Sequence, residues 1–96
     1  MIACRLLAVG TASNLRSFIA SEDWPKEFTA LELLEALPTR GLWQFEAARI
    51  PLVFLGRISL GHPLLTFVLD FDDGGNKGIV RVRNGRIRRH QLRYRK

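Results

Sequence analysis

An α+β domain is what this sequence predicts: two or three N-terminal helices packed on a C-terminal antiparallel three-stranded meander. Three observations predict it. Residues 29–37 join a helix-start pattern to a leucine stripe, residues 64–71 alternate along a strand, and Asn84-Gly85 sits between two runs rich in β-branched residues. At 96 residues the chain is expected to form one domain, residues 1–96. Its helical part is expected over about 13–56, its β part over about 57–93, and a basic end at 94–96.

Composition is that of a globular protein, 47% hydrophobic and 25% charged, which argues against wholesale disorder. The single cysteine, Cys4, permits no internal disulfide and no zinc site, and its neighbours Ile2 and Ala3 suit an inert buried thiol. The longest apolar run near the start, Leu6 to Val9, is far short of a signal-peptide core, and no segment approaches membrane-spanning length. A soluble, cytoplasmic protein with no membrane partner is the expectation.

Taken in order, residues 2–9 form a short apolar segment that periodicity leaves open between strand and helix. Ser13 suits the N-cap of a helix over 14–21, with Leu15, Phe18 and Ile19 as its buried stripe. Thr29-Ala30-Leu31-Glu32 reads as a capping box, and Phe28 with Leu33 as a hydrophobic staple, so a helix is expected over 30–37 and ended by Pro38. Leu42 to Ile50 has helical spacing through Leu42, Phe45 and Ala48, and Ile50-Pro51 marks its kink or end. Leu52 to Leu55 is too short to classify, Gly56 suits a helix C′ position or a turn, and Arg57 to Leu60 reads as a short strand.

Leu64 to Phe71 is a strand with Leu65, Phe67, Leu69 and Phe71 on one face. Those four side chains suit an internal core and a partner subunit equally, so a homodimer stays open. A polar, glycine-rich loop, Asp72 to Gly78, leads into strands near 79–83 and 86–92. Asn84-Gly85 supplies the positive φ that a two-residue hairpin turn needs at both positions. Such a turn sets Arg83 opposite Arg86, Val82 opposite Ile87, Arg81 opposite Arg88 and Val80 opposite Arg89. Arg81, Arg83, Arg86 and Arg88 then share one face.

Charge is polarised along the chain. Residues 77–96 hold nine of the fifteen Lys and Arg (Lys77, Arg81, Arg83, Arg86, Arg88, Arg89, Arg93, Arg95 and Lys96) and no Asp or Glu. Residues 1–76 hold six basic and nine acidic side chains, a net charge of −3 against +9 for the tail. Like charges opposed on a sheet destabilise it, so the arginine face calls for something negative to cover it. A phosphate backbone is one such cover; the chain's own Asp70, Asp72 and Asp73 are the other.

Helices followed by a β-hairpin with a basic loop resemble the winged helix-turn-helix family of DNA-binding domains, from Phe28 to about Arg83. The resemblance implies a first helix at Thr29 to Leu37, a turn at Pro38 to Gly41, and a recognition helix from Leu42 to about Leu55. It implies a small strand at Ile58 to Leu60 and a wing from Leu64 to Arg83. By position, Arg40, Trp43, Gln44 and Arg49 are implied as groove contacts, and Lys77, Arg81 and Arg83 as backbone contacts. Pro51 and Glu46 depart from the family's pattern, and an unrelated small α+β fold stays open beside it.

Chemistry offers less. Asp70 and Asp72 share a strand face but do not complete a metal site by themselves. His62 and His90 have no evident Cys or Asp partner, and Gly74-Gly75-Asn76-Lys77-Gly78 lacks the spacing of a P-loop. No cofactor, metal or catalytic residue is therefore expected. The expectation is a non-catalytic nucleic-acid-binding protein, a DNA-binding regulator or accessory factor, with duplex DNA favoured and RNA open. The alternative is a phage- or plasmid-type interaction or inhibitor protein whose basic hairpin docks on an acidic protein surface.

Overall fold

Strict alternation decides the first element. In β1 (Ile2–Val9) the side chains of Cys4, Leu6 and Ala8 are buried while Ala3, Arg5 and Val9 are exposed, the period of two that a strand imposes. The computed structural model describes residues 1–21 and 24–93, with 90–93 described by their backbone. After β1 come α1 (Ala12–Ser21), β2 (Thr29–Leu37), β3 (Arg40–Ala47), α2 (Leu52–Gly61), β4 (Thr66–Asp72), β5 (Asn76–Arg83) and β6 (Arg86–Arg93). All six strands join one sheet in the order β2-β3-β1-β4-β5-β6, and every neighbouring pair is antiparallel. β1 and β2 are thus parallel with β3 between them, and β3 and β4 are parallel with β1 between them. These are two interlocked split β-α-β units, the ferredoxin-like arrangement, extended by a β4-β5-β6 meander.

One face of the sheet carries the core and the other is open. Trp43, Phe45 and Ala47 from β3, Phe67, Leu69 and Phe71 from β4, and Val80 and Val82 from β5 join the β1 residues on the covered face. Helix α1 contributes Leu15 and Phe18, and α2 contributes Phe54, Leu55 and Ile58. Phe18 sits at the junction, edge-on to Trp43, Phe67 and the His62 ring at centroid distances of 5.6, 5.1 and 5.2 Å. Phe28 stacks on Phe45 at 4.4 Å, and Trp24 lies against Trp43 and Phe54. Burying a ring such as Phe67 contributes roughly 1.5–3 kcal/mol.

The expected architecture of two or three N-terminal helices on a three-stranded meander is overturned. The helix expected over 30–37 is strand β2, and the helix expected from Leu42 is strand β3, so the two helices of a helix-turn-helix are a β-hairpin. Pro38 acts as a turn residue here: Leu37 pairs with Arg40, leaving Pro38-Thr39 as the connection, and Gly10 N–H donates to the Thr39 carbonyl at 3.1 Å. The helix propensity of Leu31 to Leu37 is overridden by pairing with β3, a tertiary gain that weak local preference does not resist. Conversely, Arg57 to Leu60, expected as a strand, belongs to α2, with Gly56 inside the helix. The first helix stands near its expected place but begins at Ala12, so Ser13 lies inside it and Thr11 caps it, its hydroxyl accepting the Asn14 N–H at 3.2 Å. Leu15 and Phe18 are buried as expected, whereas Ile19 is exposed. The meander and its register agree with the sequence reading, from Arg83 opposite Arg86 to Val80 opposite Arg89, with Asn84 and Gly85 at φ 48° and 78°.

Candidate functional site

The open face of the sheet is ordered into four rows by register. At the hairpin end, Leu37, Arg40, Val9, Thr66, Arg83 and Arg86 run across the strands from β2 to β6. The next row is Glu35, Leu42, Leu7, Val68, Arg81 and Arg88. The third holds Glu32, Gln44, Arg5, Asp70 and Ile79, and the fourth Thr29, Glu46, Ala3, Asp72 and Lys77. Successive rows are about 6.8 Å apart, two residues of antiparallel strand.

Arg81, Arg83, Arg86 and Arg88 gather at one corner of this face, all exposed, around a shallow concavity of about 500 Å³ that Pro63, Leu64 and Thr66 also line. Two pairs of guanidinium-bearing residues face each other directly across β5 and β6. Among the described residues no carboxylate lies within ion-pair distance of any of them. The group's one side-chain hydrogen bond among the described residues goes to a neutral acceptor: Arg83 Nη1 donates to Thr66 Oγ1 at 3.4 Å.

Two of the three acids that were expected to compete for these arginines are engaged elsewhere. Asp72 pairs with Lys77 at 3.6 Å and accepts the Gly74 N–H at 3.0 Å. Asp73 accepts the Asn76 N–H at 3.0 Å, closing the loop between β4 and β5. Asp70 stands beside Arg5 and Ile79 in the third row. Asp72 and Asp73 therefore build their own turn, and Asp70 and Asp72 line the adjoining half of the face, where with Glu46, Arg5 and Lys77 they surround a second concavity of about 570 Å³.

The arginine corner is held in place from behind. The buried Ser59 hydroxyl of α2 donates to the Gly56 carbonyl and accepts the Gly85 N–H at 2.9 Å, tying the hairpin turn to the helix. A Cβ at Gly85 would stand 2.9 Å from Leu60 Cδ2, so the turn and helix touch closely. No local signal exposed Ser59, because Arg57 to Leu60 reads as a strand in isolation. Thr66 and the half-buried Leu7, Leu42 and Val68 were missed for the same reason: only cross-strand register brings them beside the arginines.

Other expected contacts fall apart. Trp43 is buried in the core at 6% exposure and cannot reach a groove. Gln44 lies on the open face and accepts a hydrogen bond from Arg5 Nε at 3.1 Å. Arg40 sits at the β2–β3 turn, where its Nε donates to Glu35 at 2.9 Å, while Arg49 is in the loop after β3. These four do not form one reading surface. Lys77 shares the face but stands in the fourth row with Asp72. Arg89 points to the opposite side of the sheet, over the Phe71 ring at 5.7 Å. The Arg93 side chain, Arg95 and Lys96 lie outside the described residues.

Among the described residues no three His, Cys, Asp or Glu side chains are placed to hold a metal ion. Burial, with the charge of Asp70 second, pushes the Cys4 thiol up to about 11, which keeps it protonated and unreactive at neutral pH. His62 Nε2 lies 3.4 Å from the Ser21 hydroxyl, against Phe18. No described helix is long and apolar enough to cross a membrane. Compared with protein families, curated proteins and solved structures, the chain finds no match.

Proposed function

We propose that the protein is a non-catalytic nucleic-acid-binding module that grips the phosphate backbone with Arg81, Arg83, Arg86 and Arg88. One observation carries this: four exposed arginines stand in two directly opposed pairs, with no carboxylate among the described residues to offset them. Opposed like charges cost roughly 0.2–1 kcal/mol per pair, a cost that phosphate would turn into attraction. The clamp of Ser59 on Gly85 supports the same reading, because it orders the ribbon before any ligand arrives. With Trp43 in the core and the arginine face built of strands, contact is to backbone rather than to base edges. A role as a regulator or accessory factor would then draw any sequence preference from elsewhere.

Salt dependence tests the proposal. With all four arginines on phosphates, log K falls against log salt with a slope between about −2.8 and −3.6, a loss of roughly 50- to 150-fold from 50 to 200 mM salt. Replacing all four by Ser should abolish the slope together with binding in fluorescence anisotropy. A wild-type slope near zero, or a quadruple variant that binds as before, removes the proposal.

A further inference from the structure

The open face distinguishes between the two physical forms of nucleic acid, a distinction that rests on the backbone-binding role proposed above. The first two rows hold Arg40, Arg81, Arg83, Arg86 and Arg88 against Glu35 alone, a net charge of +4. Rows three and four hold Glu32, Glu46, Asp70 and Asp72 against Arg5 and Lys77, a net charge of −2. Arg40 is paired with Glu35, so the net positive charge is a two-row patch on β5 and β6, bordered on β4 and β1 by the neutral Thr66, Val68, Leu7 and Val9.

From this we infer that the ligand of the arginine face is single-stranded nucleic acid, laid across the sheet and held without sequence preference. The centre of the cationic rows lies about 14 Å from the centre of the acidic rows. Grooves of B-form DNA are about 6 and 12 Å wide, so a duplex with one backbone on the arginines brings its second backbone towards the carboxylates. A single strand has no second backbone and can cross the patch alone.

The strip of sheet beside the patch suits the rest of the nucleotide. Val68, Leu7 and Leu42 follow Arg88 and Arg81 in one row and are half-buried, leaving an aliphatic strip beside the guanidinium groups. Exposed bases can lie on such a strip while their phosphates meet the arginines. Aliphatic side chains make no base-specific hydrogen bonds, and the described open face offers no aromatic ring, so contact is weak per base and tolerant of sequence.

The test compares a labelled oligo(dT) of about 12 nucleotides with a duplex of the same length in fluorescence anisotropy at two ionic strengths. Charge density alone favours the duplex, which carries about twice the charge per unit length, so binding of the single strand at least about tenfold tighter supports the inference. A duplex that binds as tightly or more tightly overturns it, while leaving the backbone-binding role intact. If neither oligonucleotide binds, both fall. Asp70→Asn combined with Asp72→Asn gives an independent readout, since asparagine keeps an oxygen for the Gly74 N–H. It should raise duplex affinity about fivefold or more and move oligo(dT) affinity by less than about twofold. An unchanged duplex affinity overturns the assignment of those carboxylates as the barrier.

Discussion

The two edges of the sheet are protected in opposite ways. β6 is guarded by charge: Arg86, Arg88 and Arg89 occupy it, and a second copy approaching it edge-on meets the same sign. β2 carries no cation, and Leu31, Leu33, Leu34 and Leu37 are each between 40% and 50% exposed. Its protection is geometric. The register slips between Thr29 and Glu32 and again between Leu33 and Glu35, and Ala30 takes a φ of 54°. Such bulges bend a strand out of line and spoil it as a template. The comparison separates two roles for arginine. Edge protection accounts for Arg86 and Arg88, but Arg81 and Arg83 lie one strand inside, where no edge needs guarding.

That difference can be broken most sharply by halves. Arg81→Ser with Arg83→Ser, and Arg86→Ser with Arg88→Ser, should each shrink the salt slope of nucleic-acid binding by about 1.4–1.8. Only the β6 pair should also raise self-association in light scattering. If neutralising the β5 pair leaves the slope unchanged, Arg81 and Arg83 do not meet phosphate and the proposed four-arginine grip is wrong.

Stability sharpens the contrast next. Gly85→Ala places a Cβ against Leu60 at a φ of 78°, and should cost about 1–3 kcal/mol, lowering Tm by roughly 4–8 °C per kcal/mol in calorimetry. A Tm within a degree of wild type would mean that the turn is not held by α2. Between the edges, β1 supplies a pH probe. The folded state holds the Cys4 proton more tightly than the unfolded one, raising its pKa from 9.0 to about 11. Its contribution to stability is therefore complete below about pH 9 and is lost as pH rises towards 11, by up to about 1.4 kcal/mol per unit. Cys4→Ala should flatten the urea-derived stability over that range, and an equal slope in both proteins rules out the thiol.

The smallest effect belongs to β2. Ala30→Gly removes a side chain from a left-handed position and should stabilise the fold by about 0.5–1 kcal/mol. A loss of stability instead would show that the methyl group packs more usefully than its conformation costs.

Some of this was legible in the residues. Asn84-Gly85 with flanking β-branched runs determined the hairpin, its register and the arginine face, because a two-residue turn leaves no freedom in which side chains oppose. Leu65, Phe67, Leu69 and Phe71 likewise declared the covered face of the β4 segment. In β3 the alternation of Gly41, Trp43, Phe45 and Ala47 was present too, but a helical spacing through Leu42 and Phe45 competed with it. For Thr29 to Leu37 every local signal favoured a helix. Only pairing with β3 made it a strand, since an edge strand draws its stability from a neighbour that lies outside its own sequence.

What the chain determined by itself was therefore local: the turn, the charge and the strand it closes. Which acids stand near those arginines was decided by tertiary structure alone. Cross-strand register puts Asp70 in the row next to Arg81 and Asp72 one row further, and helix packing ties the turn to Ser59, 26 residues away. Distance along a sequence carries no information about distance across a sheet until the strand order is known.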